Sequence, residues 1–359
     1  MGAGHAPVPS ALTAASAPVT RCTIGDSRLA ELSGLAVDGG AVWSLVDSGR
    51  STQAFALDLD TCEVTDVRTG NVDPRDAEDL ARGPDGALWV GDIGDNDRVR
   101  NSVALVVLPA RGPAQLHRMT YPDGPHDAEA LLVDAQGRPV VVTKEVGPAG
   151  IYRPDAPLDG TGPTPLVRVG EVVLPTSDTR GGPIGGLGAR VVTGAAQSVD
   201  GRVLALRSYT DAWLYAVPDG DPVAALAGTP VRVPLPGEPQ GEAVAFTADG
   251  TLLSGSETRG GVAGELRAVA GAAALVPSSS AAAVPRGSGI VPSDSGAASG
   301  SAPRAGAPVA GNEGVAPAAG AGPGEDTAPV WLPAVIGGGA TVGVLALAAT
   351  ALAMRGRRR

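Results

Sequence analysis

The sequence predicts an all-β fold, a β-propeller of five or six blades, and three observations predict it. With 52 Gly and 32 Pro among 359 residues and only 3% aromatics, the chain favours turns and small side chains over long helices. Five segments (31–43, 76–89, 127–137, 191–201 and 240–250) share one plan: a short polar lead, an apolar run, a turn carrying Gly and a second apolar run. Their equivalent positions, Ser33, Glu78, Glu129, Thr193 and Glu242, lie 45, 51, 64 and 49 residues apart, the length of a propeller blade.

Each repeat opens on a hairpin. Asp-Gly between two apolar runs is a strong short-range hairpin cue, and it recurs at Asp85-Gly86, Asp200-Gly201 and Asp249-Gly250. Further strand-like runs at 103–108, 166–174 and 212–217 bring the expected number to four strands per repeat. The 64-residue third spacing leaves room for a sixth blade. A β-sandwich is the competing architecture, and it would not generate a regular period.

Composition divides the rest of the chain. Residues 1–20 are Ala- and Pro-rich without a basic leading region, and read as the remnant of a signal peptide cropped by a late start, or as a disordered N-terminus. The propeller is expected over 21–271 and a disordered Ala/Gly/Pro/Ser stalk over 272–328, with an end-to-end distance of about 40 Å. An uncharged apolar run at 329–354 is long enough to cross a bilayer as a helix, with Trp331 at its start. The tail at 355–359, with Arg355, Arg357, Arg358 and Arg359, is a positive-inside stop. The expected protein is therefore single-pass at the cell membrane, with its propeller outside and its C-terminus cytoplasmic. Leu332-Pro333-Ala334 lacks the Thr-Gly of a wall-sorting motif, so covalent wall attachment is rejected. In an exported domain Cys22 and Cys62 are expected to be bridged, the alternative being two free buried thiols.

Net charge is −11, and the basic tail makes the remainder more acidic still, so nucleic acid is excluded as a partner. Lysine occurs once, as Lys144. The propeller segment contains no nucleophile elbow, His-Glu-x-x-His pair, phosphate loop or Cys-x-x-Cys, which removes support for the common hydrolase, zinc-protease, nucleotide and thiol-redox chemistries.

The runs 76–80, 91–96, 121–124, 127–131, 142–144 and 240–243 resemble exported bacterial β-propellers of unassigned activity, which are distantly similar to phytase-like esterase propellers. The resemblance covers roughly residues 22–270. It implies the fold and does not fix an activity.

Acidic residues recur at the repeat starts: Glu31, Asp76 with Glu78, Asp127 with Glu129, and Glu242. Residues i and i+2 of a strand share a face, so each Asp-x-Glu pair presents two carboxylates together. If these strands are innermost, the carboxylates converge at one mouth of the channel. They then either hold a hard cation such as Ca²⁺, or accept backbone and Arg hydrogen bonds that fix the strand starts. A second polar set ends the second strand of several repeats, and supplies Asp92, Asp95, Asn96, Lys144, Arg207 and Glu257 as candidate ligand-binding residues. The expected function is ligand or partner binding at the channel mouth, of an extracellular small molecule, glycan or protein. A Ca²⁺-assisted phosphoester or ester hydrolase is the alternative, and no catalytic residue is nominated. A structural spacer is a third reading.

Overall fold

The computed structural model describes residues 16–47 and 49–277. The expected span at 329–354, the basic tail, nearly all of the stalk and most of segment 1–20 lie outside the described residues. Among the described residues no helix is long and apolar enough to cross a membrane.

Strand β1 (Val19–Thr23) is followed by five four-stranded units. They are β2 (Leu32–Asp38), β3 (Ala41–Val46), β4 (Thr52–Leu57) and β5 (Val64–Gly70); then β6 (Asp79–Arg82), β7 (Leu88–Asp92), β8 (Val103–Leu108) and β9 (Gln115–Thr120). The third comprises β10 (Ala128–Val133), β11 (Pro139–Thr143), β12 (Ala149–Pro154) and β13 (Thr164–Val172), and the fourth β14 (Val192–Gln197), β15 (Val203–Ser208), β16 (Asp211–Ala216) and β17 (Val231–Pro234). In the fifth, β18 (Gly241–Phe246), β19 (Leu252–Ser256) and β20 (Glu265–Val269) recruit β1 as the outer strand. Each unit is an antiparallel blade. A short parallel pairing of β13 with β9 joins the outer edges of blades 2 and 3.

The first strands pack against one another in ring order, β2 to β6 to β10 to β14 to β18 and back to β2. A strand with a neighbouring blade on each face needs apolar residues on both, which is why β10 and β18 are buried along their whole length instead of alternating. The core is accordingly divided into inter-blade layers. Trp43 and Leu88 lie between blades 1 and 2, Leu105 and Leu131 between 2 and 3, Leu132 and Trp213 between 3 and 4. Leu214 and Phe246 fill the layer between blades 4 and 5, and Leu35 and Leu253 that between 5 and 1. This radial layering is a β-propeller, and a sandwich is excluded by it.

The hairpin turns explain the recurring glycine. Gly86, Gly137, Gly201 and Gly250 adopt φ of 79, 74, 72 and 79°, and each donates its N–H to the carbonyl three residues back. That left-handed position is open to Gly at no steric cost. Blade 3 has Gln136 where the others have Asp, so the glycine is the shared requirement.

No sixth blade occupies the long third interval. Residues 173–191 form a connection ending in a short 3-10 helix, Gly185–Arg190, that packs on Tyr209: the Tyr209 N–H donates to the Gly188 carbonyl at 3.2 Å. Its small residues lack the apolar alternation that a strand pair would need to bury itself.

The ring is closed by β1, and a disulfide reinforces the closure. Cys22 on β1 is bonded to Cys62 in the turn between β4 and β5, so blade 5 is tied covalently to blade 1.

Candidate functional site

Four of the five inner strands carry an irregularity in their pairing at the same place, between Leu32 and Leu35, Ala128 and Ala130, Val192 and Gly194, and Gly241 and Ala243. A β-bulge turns its extra residue out of the ladder. The residues so placed are Ser33, Glu129, Thr193 and Glu242, with Glu78 just ahead of β6 at the corresponding point of blade 2. The equivalence read in the sequence thus corresponds to equivalent points at the starts of the neighbouring inner strands. Neighbouring blades are laced there: Ser33 Oγ donates to the Glu78 carbonyl at 2.6 Å and to its Oε2 at 3.2 Å, and Thr193 Oγ1 donates to the Gly241 carbonyl at 3.1 Å.

Glu78, Asp127 and Glu129 form the centre of the site. One carboxylate oxygen from each lies within 4.8 Å of the others, and all three residues are buried. Burial and the repulsion of Glu129 and Asp76 push the Glu78 carboxyl well above its ordinary value. Burial raises Glu129 to about 7, with Asp127 adding to the shift, although Lys144 forms an ion pair with it. Asp76, hydrogen-bonded to Glu78, rises to about 6, first through burial and then through Asp127. Glu242 is pushed well up by burial, Glu129 and Glu257; its Oε1 accepts from Gln240 Nε2 at 2.7 Å, while its buried Oε2 has no hydrogen-bond partner. Glu257 rises to about 8 through burial, Asp47 and Glu129.

Asp47 was not among the candidates from sequence. Burial, Glu31 and Asp76 raise it to about 7. The signal that marks it is the register after the second strand: the N–H groups of Asp47, Lys144 and Glu257 donate to the carbonyls of Glu31, Asp127 and Gln240 respectively. Asp47 is therefore the blade 1 counterpart of Lys144 and Glu257. Glu31 stands with it at this mouth.

The remaining candidates are placed elsewhere or used internally. Asp92 accepts from the backbone N–H groups of Arg75 and Asp76 at 3.0 and 2.9 Å and pairs with Arg100 at 2.9 Å. Asp95 caps its own loop, accepting from the Val99 and Arg100 amides, while its N–H donates to Asp127 at 2.8 Å. Both carboxylates thus hold the loop that supports Asp76 and Asp127. Asn96 is exposed beside them. Arg207 is 0% exposed and forms an ion pair with Glu238, with Ser254 bridging the two, so it is sealed from any ligand. Glu238 had no sequence signal, since it precedes the repeat it serves.

The oxygen-only donor set suits a hard cation, which takes 6–8 oxygens and tolerates irregular geometry, so Ca²⁺ fits better than a metal that prefers nitrogen or sulfur. The orphaned Glu242 oxygen and the raised carboxyls are both what a set of carboxylates shows when its counter-charge is insufficient. A stability consequence follows from the sign of these shifts. Acids whose folded values lie near 6 to 8 bind more protons folded than unfolded, so without added cation stability falls as pH rises from about 4 to 8. Melting temperatures at pH 5 and pH 8 with a chelator check this, and Ca²⁺ should restore the loss at pH 8.

The fold and the site define a β-propeller with a buried carboxylate cluster where its inner strands begin. No protein-family model matches the sequence, and no curated protein matches it. Among solved structures, the PQQ-bound aldose sugar dehydrogenase from Streptomyces coelicolor is 13% identical, with 71% of this chain and 98% of that chain covered and a TM-score of 0.39. A luciferin-regenerating enzyme is 16% identical, covering 67% and 78%, with a TM-score of 0.40. A gluconolactonase from Xanthomonas campestris is 15% identical, covering 67% and 72%, with a TM-score of 0.39. At such identities and scores these proteins do not inform the activity of this one.

Proposed function

We propose that the protein is a membrane-anchored extracellular propeller that binds a divalent cation, Ca²⁺ in the first instance, at its acidic channel mouth, and recognises an oxygen-rich extracellular ligand through it. The observation that carries this reading is the approach of Glu78, Asp127 and Glu129 within 4.8 Å, all three buried. The rim residues Glu31, Asp47, Asp76 and Glu257 would extend the oxygen surface towards solvent. Anchoring rests on the apolar run at 329–354 and the arginines behind it.

Calorimetry of the full-length chain in detergent with CaCl₂ tests the reading. Binding is expected for the wild type and a loss of at least about tenfold for Glu129→Gln or Asp127→Asn. Protons compete for the same oxygens, so affinity should rise about tenfold or more from pH 6 to pH 8, the range in which Asp76 and Glu129 deprotonate. No heat at pH 8, in a chain that melts cooperatively and is unmoved by Ca²⁺, would sink the cation.

One observation favours the hydrolase as a second reading: Glu129, raised to about 7, is poised for general acid–base work at neutral pH. A bound cation would polarise the ester or phosphoryl oxygen of a substrate. Turnover of chromogenic esters that requires Ca²⁺ and disappears in Glu129→Gln separates catalysis from binding.

A further inference from the structure

Of 27 basic residues other than histidine, one is a lysine, and it sits inside the carboxylate ring. Arginine supplies every other fixed positive charge, including the buried partner of Glu238 and the partner of Asp92. The two cations differ physically. A guanidinium grips one carboxylate with a planar fork, whereas an ammonium is a compact charge on a flexible stem whose donors rotate from one acceptor to another. The backbone of Lys144 is fixed to the strand pair that carries the cation ligands, its N–H donating to the Asp127 carbonyl at 2.9 Å. Its Nζ bonds Glu129 Oε1 and lies 5.7 Å from the centre of the Tyr209 ring. The carboxylates of Glu129, Glu242 and Glu78 all act on its charge.

Two carboxylates thus have claims on this charge. Glu129 holds it, while Glu242, 3% exposed and in the field of both Lys144 and Glu129, keeps a buried Oε2 without a partner. A divalent cation on Glu78, Asp127 and Glu129 would share the Glu129 carboxylate with Lys144 and repel the ammonium beside it. Resting on the cation reading above, we propose that Lys144 is the resident counter-ion of the ring, that a divalent cation binds by displacing it from Glu129, and that Glu242 receives the displaced ammonium. Lys144 then determines specificity. A monovalent ion gains nothing by displacing an equal charge, whereas a divalent ion replaces one charge by two.

The singular lysine makes the movement observable: biosynthetic [ε-¹³C]lysine labels one side chain in the full-length chain. Its resonance is expected to shift on addition of CaCl₂ in step with calorimetric saturation, and to reach a different end point in Glu242→Gln. Lys144→Met is expected to bind Ca²⁺ at least about tenfold more tightly than the wild type and to become sensitive to NaCl in the millimolar range. Ca²⁺ binding with an unmoved lysine resonance overturns the displacement and leaves the cation site standing. So does an affinity of Lys144→Met within twofold of wild type. Absence of binding in both wild type and Lys144→Met removes the cation site itself, and the displacement with it. The labelled wild type carries the test if Lys144→Met does not fold.

Discussion

Asp79→Ala is expected to cost on the order of 3–6 kcal/mol of folding stability, a large share of the 5–15 kcal/mol typical of a domain. Asp79 follows Glu78 directly and so points away from the carboxylate ring. Its side chain is fully buried, and it accepts backbone N–H bonds from Leu80 at 2.8 Å, Leu131 at 2.8 Å and Ala195 at 3.0 Å. Those amides belong to blades 2, 3 and 4, so one carboxylate pins three inner strands, two of them just beyond the bulge in their ladders. Burial pushes its carboxyl well up and the three donors oppose that shift. Alanine would leave three buried N–H groups without acceptors, each costing about 1–3 kcal/mol, while asparagine keeps one acceptor oxygen and should lose roughly half as much. Urea denaturation of both variants measures the difference. A loss below about 1 kcal/mol for Asp79→Ala would mean that the amides are solvated and the pin does not exist.

Removal of the Cys22–Cys62 bridge is expected to have an effect of similar size with a different distribution. The bridge spans 40 residues, for which the chain-entropy account gives about 4 kcal/mol. Because Cys22 lies on the strand that closes the ring, the loss should begin at the seam. β1 pairs with β20 alone, through Val19 with Ala268 to Thr23 with Glu265, and a pairing shift interrupts it between Thr20 and Cys22. After Cys22→Ser with Cys62→Ser, hydrogen exchange should accelerate in β1 and β20 first, with β10 and β14 still protected. Uniform acceleration through all blades would show that the seam is not a separate weak point. Unchanged protection of β1 would show that strand pairing closes the ring without help.

Much of this protein can be read from its chain. The blades were legible because each repeat carries its own local instruction: an apolar run long enough for an inner strand, and a glycine where the hairpin turn needs a left-handed residue. The convergence of Glu78, Glu129 and Glu242 was legible for the same reason, since rotation about one axis carries equivalent positions of the repeats to equivalent points of the ring. Their roles within that ring were not. Asp92 and Arg207 stand at corresponding places in the repeat, yet Asp92 caps a turn and Arg207 is sealed against Glu238, a residue outside the repeated segments. Asp47 joins the site and Asp79 serves the blade junctions, though both are ordinary aspartates in sequence.

The sequence alone determined the repeat, the strands, the turns and the acidic character of the repeat starts, because these follow from local propensity and from periodicity. Only the tertiary structure decided which carboxylates share a field, which are consumed by backbone amides, and where the single lysine rests. Those outcomes depend on distances between blades far apart in the chain, as between Asp79 and Ala195 at a separation of 116 residues, and on burial that no local segment can set by itself.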